Sequence, residues 1–217
     1  MDGVSLDWLM ERRIHSPYLE FFAVNFGNEV GVEQLVKFLH EDVGLKKEDF
    51  ESWALSLEVN FTKELIEKGA NLHVQRDMPL IFASEYDRPD VAEILLIYGA
   101  DVHTGGERPF LATATYNCAK TLKVLIRHGA NVHVRNDEGF LIAVKYGHNE
   151  VVQILLEKGV PEPIKEQALL EAIGVDRQEV VRSIIKSGVN IHANDDALLR
   201  SAKEHNNPDM VKILDIK

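Results

Sequence analysis

The chain has 217 residues, of which 45% are hydrophobic, with a formal net charge of −11 at pH 7 and one cysteine. No apolar run approaches the roughly 18 residues that a membrane-spanning helix needs. The acidic balance speaks against nucleic acid, which calls for clustered cations, and suits a neutral or basic partner. A lone Cys118 rules out an internal disulfide and fits a reducing compartment.

The leader MDGVSLDWLMERRIHS mixes acids into a broken apolar pattern and does not read as a secretory signal. Helical segments are predicted at about 17–27 and 31–41, with Leu19, Phe21, Phe22, Val24 and Phe26 making one side apolar. Residues 1–45 therefore read as a leader plus a degenerate capping unit, because the end of a stack must be shielded. Trp8 is expected to fold back on that cap, leaving a monomer.

Residues 46–217 are periodic. Gly69, Gly99, Gly129, Gly159 and Gly188 are spaced by 30, 30, 30 and 29 residues. Four of them open nearly one phrase: GANLH (69–73), GADVH (99–103), GANVH (129–133) and GVNIH (188–192). A fixed period of this length marks a stacked array, which presents a surface rather than a reaction centre. Before each glycine lies an apolar run at helical spacing, as in Val151, Val152, Ile154, Leu155 and Leu156. A glycine there suits a left-handed C-cap, and Lys68, Arg127, Lys158 and Lys186 complement the helix dipole. Upstream of each is another helix: MPLIFASEY (78–86), RPFLATATY (108–116), EGFLIAVKY (138–146), EQALLEAIG (166–174) and ALLRSAKEH (197–205). Ala83, Thr113, Ala143, Ala172 and Ala202 are the small residues that let paired helices approach, and Pro79 and Pro109 fit a first turn. The last helix, PDMVKILDIK, lacks the glycine and reads as a polar cap.

MPLIFA (78–83) and YGHNEVVQILLEKG (146–159) carry a resemblance to the ankyrin repeat over roughly residues 48–217, with a weaker echo in 18–44. The resemblance implies an all-α solenoid of about six helix-turn-helix units with finger loops between them. The 30-residue period is shorter than the usual period of about 33, so the fingers should be short. Met78, Arg108 and Glu138 stand where the family has its capping threonine, so Asp or Glu near the helix starts should supply the cap instead. Short-period arrays with GA(N/D)(I/V)H phrases look like those of giant DNA viruses. After Gly159 the chain reads VPEPIKEQ, and Pro161 and Pro163 predict an extended turn without hairpin bonds.

Candidate chemistry is sparse. His73, His103, His133 and His192 recur at one repeat position. A metal needs ligand atoms within about 2 Å, whereas stacked helices sit about 8–10 Å apart, so these rings should instead bond to backbone at the finger base. Cys118 falls in a turn, about 15 Å along a helix from His128, too far for a nucleophile–base pair. HTGGERP (103–109) lacks the Lys-Ser/Thr of a phosphate loop and reads as a finger tip. Carboxylates such as Glu64, Glu67, Glu93 and Glu157 fall on solvated helix faces. No cofactor, metal or catalytic residue is expected, and an enzyme is not.

Tyr86, Tyr116 and Tyr146 lie one period apart at first-helix ends. The ankyrin register implies that they face the concave groove, near finger residues Arg76, Arg108 and Arg135 and beside Lys145. Tyr and Arg are the residue types that dominate interface energies, but a tyrosine row also helps repeats to stack. These seven residues are the expected partner-binding set. The expected function is protein binding without nucleic acid or membrane, in the cytoplasm, which for a viral chain is the host's. A factor that inhibits a host enzyme by occupying its site, or a structural spacer, remains open.

Overall fold

The computed structural model describes residues 62–63, 66–67, 73, 76–191, 193–205 and 207–215, without the side chains of 193–196. The leader and cap at 1–45, Trp8, Gly69 and His192 lie outside the described residues. The chain divides into two compact units, one holding Met1–Ala83 and Asp90–Asp101, the other Ser84–Pro89 and Val102–Lys217.

From residue 78 onward the chain is helical: α1 (Met78–Glu85), α2 (Pro89–Ile97), α3 (Thr104–Tyr116), α4 (Ala119–Arg127), α5 (Val134–Tyr146), α6 (Asn149–Leu156), α7 (Glu162–Gly174), α8 (Gln178–Lys186), α9 (Ala193–Glu204) and α10 (Pro208–Leu214). No strand occurs among the described residues. In the larger unit α3, α5, α7 and α9 pack side by side as one layer, and α4, α6, α8 and α10 form a second. Each first helix also packs on the second helix of its own repeat, as α3 does on α4 and α5 on α6.

Local chemistry places the helix ends. Gly99, Gly129, Gly159 and Gly188 all take left-handed φ, between 90° and 101°. Ala100 N–H donates to Leu95 O and Gly99 N–H to Leu96 O, the paired bonds that close a helix with a glycine cap. The residue after each glycine (Ala100, Ala130, Val160, Val189) is buried and pins the exit of the chain. Arg127 and Lys186 stand in the last turns of α4 and α8, whereas α6 ends at Leu156 and leaves Lys158 just beyond it.

First helices close in the same way one half-repeat earlier. Asp87, Asn117, Gly147 and Asp176 have φ of 49°, 61°, 79° and 52°. Asn and Asp are the non-glycine residues that tolerate this region best. His148 N–H donates to Ala143 O and Gly147 N–H to Val144 O, the same cap again.

The five small residues at the helix crossings are fully buried: Ala83, Thr113, Ala143, Ala172 and Ala202 are each 0% exposed. A larger side chain at any of them would force the paired helices apart. The finger before α3 turns through Gly105, Gly106 and Glu107, all left-handed, and the finger before α5 through Arg135, Asn136 and Asp137. Right-handed helix begins only at Arg108 and Glu138, so Pro109 sits in a true first turn. At Pro161 the backbone is extended (φ −61°, ψ 146°) and α7 starts at once, as the two prolines predict.

Gly139 faces Phe110, which is fully buried; an added Cβ would lie 2.5 Å from two ring carbons. At Gly174 the nearest atom to such a Cβ is 3.9 Å away. Alanine gains about 1 kcal/mol of helix propensity over glycine, while overpacking costs about 1–3 kcal/mol. Gly139→Ala is therefore expected to lower the urea midpoint and Gly174→Ala to hold or raise it. Equal midpoints for the two variants would show that the Phe110 ring can move aside.

Candidate functional site

The turns that end the first helices form one continuous feature of the larger unit. A helix C-terminus leaves carbonyls without helical partners. Here the next repeat reaches back to them. Cys118 Sγ donates to Glu85 O (3.3 Å), His148 Nδ1 to Ala114 O (2.9 Å) and Arg177 Nε to Lys145 O (3.1 Å). Each donor stands just after a left-handed turn residue. Neighbouring side chains add further ties: Asp87 Oδ1 accepts from Thr121 N–H and Oγ–H, Ser183 Oγ–H donates to Asn149 Oδ1, and Asn207 Nδ2 donates to Asp176 Oδ1.

The tyrosines stand immediately before these left-handed residues. Tyr86, Tyr116 and Tyr146 are 46%, 59% and 51% exposed, and Val175 continues the row at 43%. Tyr116 makes no side-chain hydrogen bond or ring contact among the described residues. Tyr146 stacks on His148 with ring centroids 5.8 Å apart, and Lys145 Nζ lies 6.0 Å from the Tyr146 centroid.

The arginines are distributed differently. Arg108 lies close enough to Glu85, the neighbour of Tyr86, to restrain that carboxyl; burial raises the Glu85 pKa and the guanidinium opposes the rise. Arg135 pairs with Glu138 at 3.2 Å, and its Nη2 lies 3.4 Å from where a Cβ on Gly106 would stand. Arg76 is exposed at a left-handed turn position (φ 62°) in the smaller unit. Of the seven expected residues, Lys145 and Tyr146 are in contact through their side chains.

Two expectations need correction. The finger histidines bond to carboxylates where backbone partners are expected: His73 Nδ1 meets Asp77 Oδ1 and His133 Nδ1 meets Asp137 Oδ1, both at 2.7 Å, and His103 Nδ1 meets Glu107 Oε1. Glu107 and Asp137 direct their carboxylates to the imidazole rather than to the N–H groups of the helix that follows. Left-handed backbone at Asp77, Glu107 and Asp137 turns each carboxylate toward the imidazole four residues earlier. The carboxylates are buried, and Asp77 Oδ1 also accepts from Asp101 N–H at 3.2 Å, which ties one finger to the next. Glu162 accepts from Asn190 N–H in the same way. The signal was in the sequence as His-x-x-x-Asp/Glu at 73–77, 103–107 and 133–137. Glu107, one methylene longer than its counterparts, leaves Oε2 buried without a partner. Among the described residues no three His, Cys, Asp or Glu side chains converge as a metal site.

Residues 110–195 match the family model for ankyrin repeats, in three copies. The structure of the human ASB11 ankyrin repeat domain is similar, with a TM-score of 0.60 at 24% identity over 74% of this chain and 79% of that one. The fold is an all-α solenoid of ankyrin type. No curated protein matches the sequence. Ankyrin repeats are in general protein-interaction modules, and the fold is typically a scaffold without catalysis. No described helix is long and apolar enough to cross a membrane.

Cys118 matches the expected packed turn residue. It is buried, and burial, reinforced by the Asp87 and Glu85 charges, pushes its thiol from 9.0 up to about 11. The folded protein thus holds the proton more tightly than the unfolded chain, and stability falls as pH rises from about 9 toward 11. Reaction with a disulfide reagent at pH 8 is expected to be slow when folded and fast in urea. Fast labelling of the folded chain would show that the turn opens.

Proposed function

We infer that the chain binds a partner protein through the face carrying the first-helix ends and fingers, with Tyr86, Tyr116 and Tyr146 as anchors. One observation carries this reading: three tyrosines recur at a single repeat position, and each leaves about half of its surface in solvent. Tyrosine offers a large contact area at low entropy cost and keeps a polar tip. Residues serving only to stack repeats would be covered instead. Arg108, Arg135 and Lys145 flank the row in the same unit, while Arg76 joins the set on its repeat position alone. Binding is by docking onto a preformed scaffold in the cytoplasm, and the chain acts as a monomer.

A second reading is a viral factor that occupies a host enzyme's site and inhibits it. It rests on the likeness of the GA(N/D)(I/V)H phrases to giant-virus arrays. The activity of a captured partner, measured with and without this chain, separates adaptor from inhibitor.

Tyr116→Ala is expected to weaken partner binding by about 2 kcal/mol, the hot-spot threshold. Its stability should change by less than about 1 kcal/mol, since the ring is exposed. Glu157→Ala, on an exposed position after α6, should alter neither quantity. A binding titration and a urea melt on the same proteins check this. Normal binding with a lowered midpoint for Tyr116→Ala would make the row stacking surface alone.

A further inference from the structure

The tyrosine row is not uniform in charge. Around Tyr116 the turn reads Thr115, Tyr116, Asn117, Cys118, with the buried thiol and the next repeat's His148 beside it but no lysine or arginine in the turn. Around Tyr146 it holds Lys145, His148 and, from the next repeat, Arg177. Both cations are exposed. Neither Lys145 nor Arg177 has an ion pair among the described residues. Three carboxylates close to them in sequence have other hydrogen-bond or ion-pair partners. Asp176 accepts from Gln178 Nε2 and Asn207 Nδ2, Glu179 lies 4.0 Å from Arg182 Nε, and Glu150 pairs with Lys123 at 3.2 Å.

Arg177 is also held in place. Its Nε is spent on Lys145 O, and its Cδ lies 2.9 Å from where a Cβ on Gly147 would stand, so the stem lies across that glycine. The left-handed φ of 79° at Gly147 favours glycine, and a Cβ there would push the Arg177 stem aside. With the stem and Nε fixed, the terminal nitrogens of the guanidinium remain without a partner among the described residues. A planar fork of this kind matches a carboxylate or phosphate, and fixing it beforehand lowers the entropy cost of binding. Lys145 supplies a second charge 6.0 Å from the Tyr146 ring centroid, and His148 stacks on that ring.

We propose that Lys145, Tyr146 and Arg177 form a receptor for an anionic side chain on the partner, with the rest of the partner segment running along the tyrosine row. This rests on the proposed function and names the partner's chemistry: a peptide segment with an Asp or Glu carboxylate next to an apolar residue. It reverses, at this site, the preference for a neutral or basic partner that the net charge of −11 suggests. An anion here is attracted by two unpaired cations, while the surplus of acid on the rest of the surface repels it. Recognition is therefore restricted to this spot and weakens with salt.

The test uses the full chain and a displayed library of random peptides. Peptides selected on the wild-type chain are expected to share an Asp or Glu. In titrations of the synthetic peptides, changing that acid to its amide should weaken binding about tenfold or more, as should Arg177→Gln or Lys145→Gln. Arg177→Gln retains a side chain able to reach Lys145 O, and melts of both variants establish that the array remains folded. Replacing the acid by phosphoserine tests the second source of the same charge: tighter binding assigns the site to phosphorylated partners, weaker binding to carboxylates. Selected peptides without an acid, no selected peptide at all, or indifference to both cation variants in folded protein would overturn the receptor. If such peptides still lose affinity with Tyr116→Ala, the tyrosine row stands without it. If they ignore Tyr116→Ala but need Arg177, the row fails and the receptor stands alone.

Discussion

Everything in the larger unit depends on how closely one first helix lies against the next. Phe110 fills the space in front of Gly139, and Ala143, Ala172 and Ala202 let the second helices close over the first. These contacts carry no direction of their own, because apolar packing is indifferent to small rotations. Direction comes from the turns, where Cys118, His148 and Arg177 each hook onto a carbonyl of the preceding repeat. A single bond of this sort contributes roughly 1 kcal/mol net, yet leaving the carbonyl unmet in a buried place costs as much or more. The hooks thus fix the angle between repeats, while buried apolar area supplies the cohesion.

That division explains why the hook residue varies. A thiol, an imidazole and a guanidinium all serve, since the requirement is one donor at one place. What differs is what is left over. Cys118 is consumed and buried; His148 turns its ring to Tyr146; Arg177 keeps the end of its fork in solvent. Structural necessity thereby places three different surface chemistries at equivalent points along the tyrosine row.

Much of the fold was legible because it rests on period and on residue type. The four described glycines of the roughly 30-residue period, the small residues at the crossings and the two prolines after Gly159 all act through backbone sterics, which sequence states directly. A second period was also present and went unread: Asp87, Asn117, Gly147 and Asp176 are the residue types that accept left-handed φ. The histidines were misjudged for another reason. Position alone places His133 at the finger base, but its partner follows from the left-handed run at Arg135, Asn136 and Asp137, where bulky residues are not the default choice. Arg177 escaped notice because its role depends on a carbonyl 32 residues away and on the glycine beneath its stem. Such pairings need coordinates. Tyrosine spacing was readable; which tyrosine has charged company was not.

The hooks have a consequence for how such a chain can change length. Asp87 to Thr121, Ala114 to His148 and Asn149 to Ser183 each span 34 residues, so each of these ties joins adjacent repeats. Excising or duplicating one whole 30-residue block would keep the carbonyl hooks in register, while side-chain ties such as Asp87 to Thr121 would change with the residues that meet. The gene can therefore lengthen or shorten by recombination without rewriting the hooks. The exception is the block beginning at Pro161, whose 29-residue step and missing left-handed finger fit only its present neighbours. Duplication is cheap on its N-terminal side and disruptive across it, so that proline pair marks a seam in the array's inheritance as well as in its backbone.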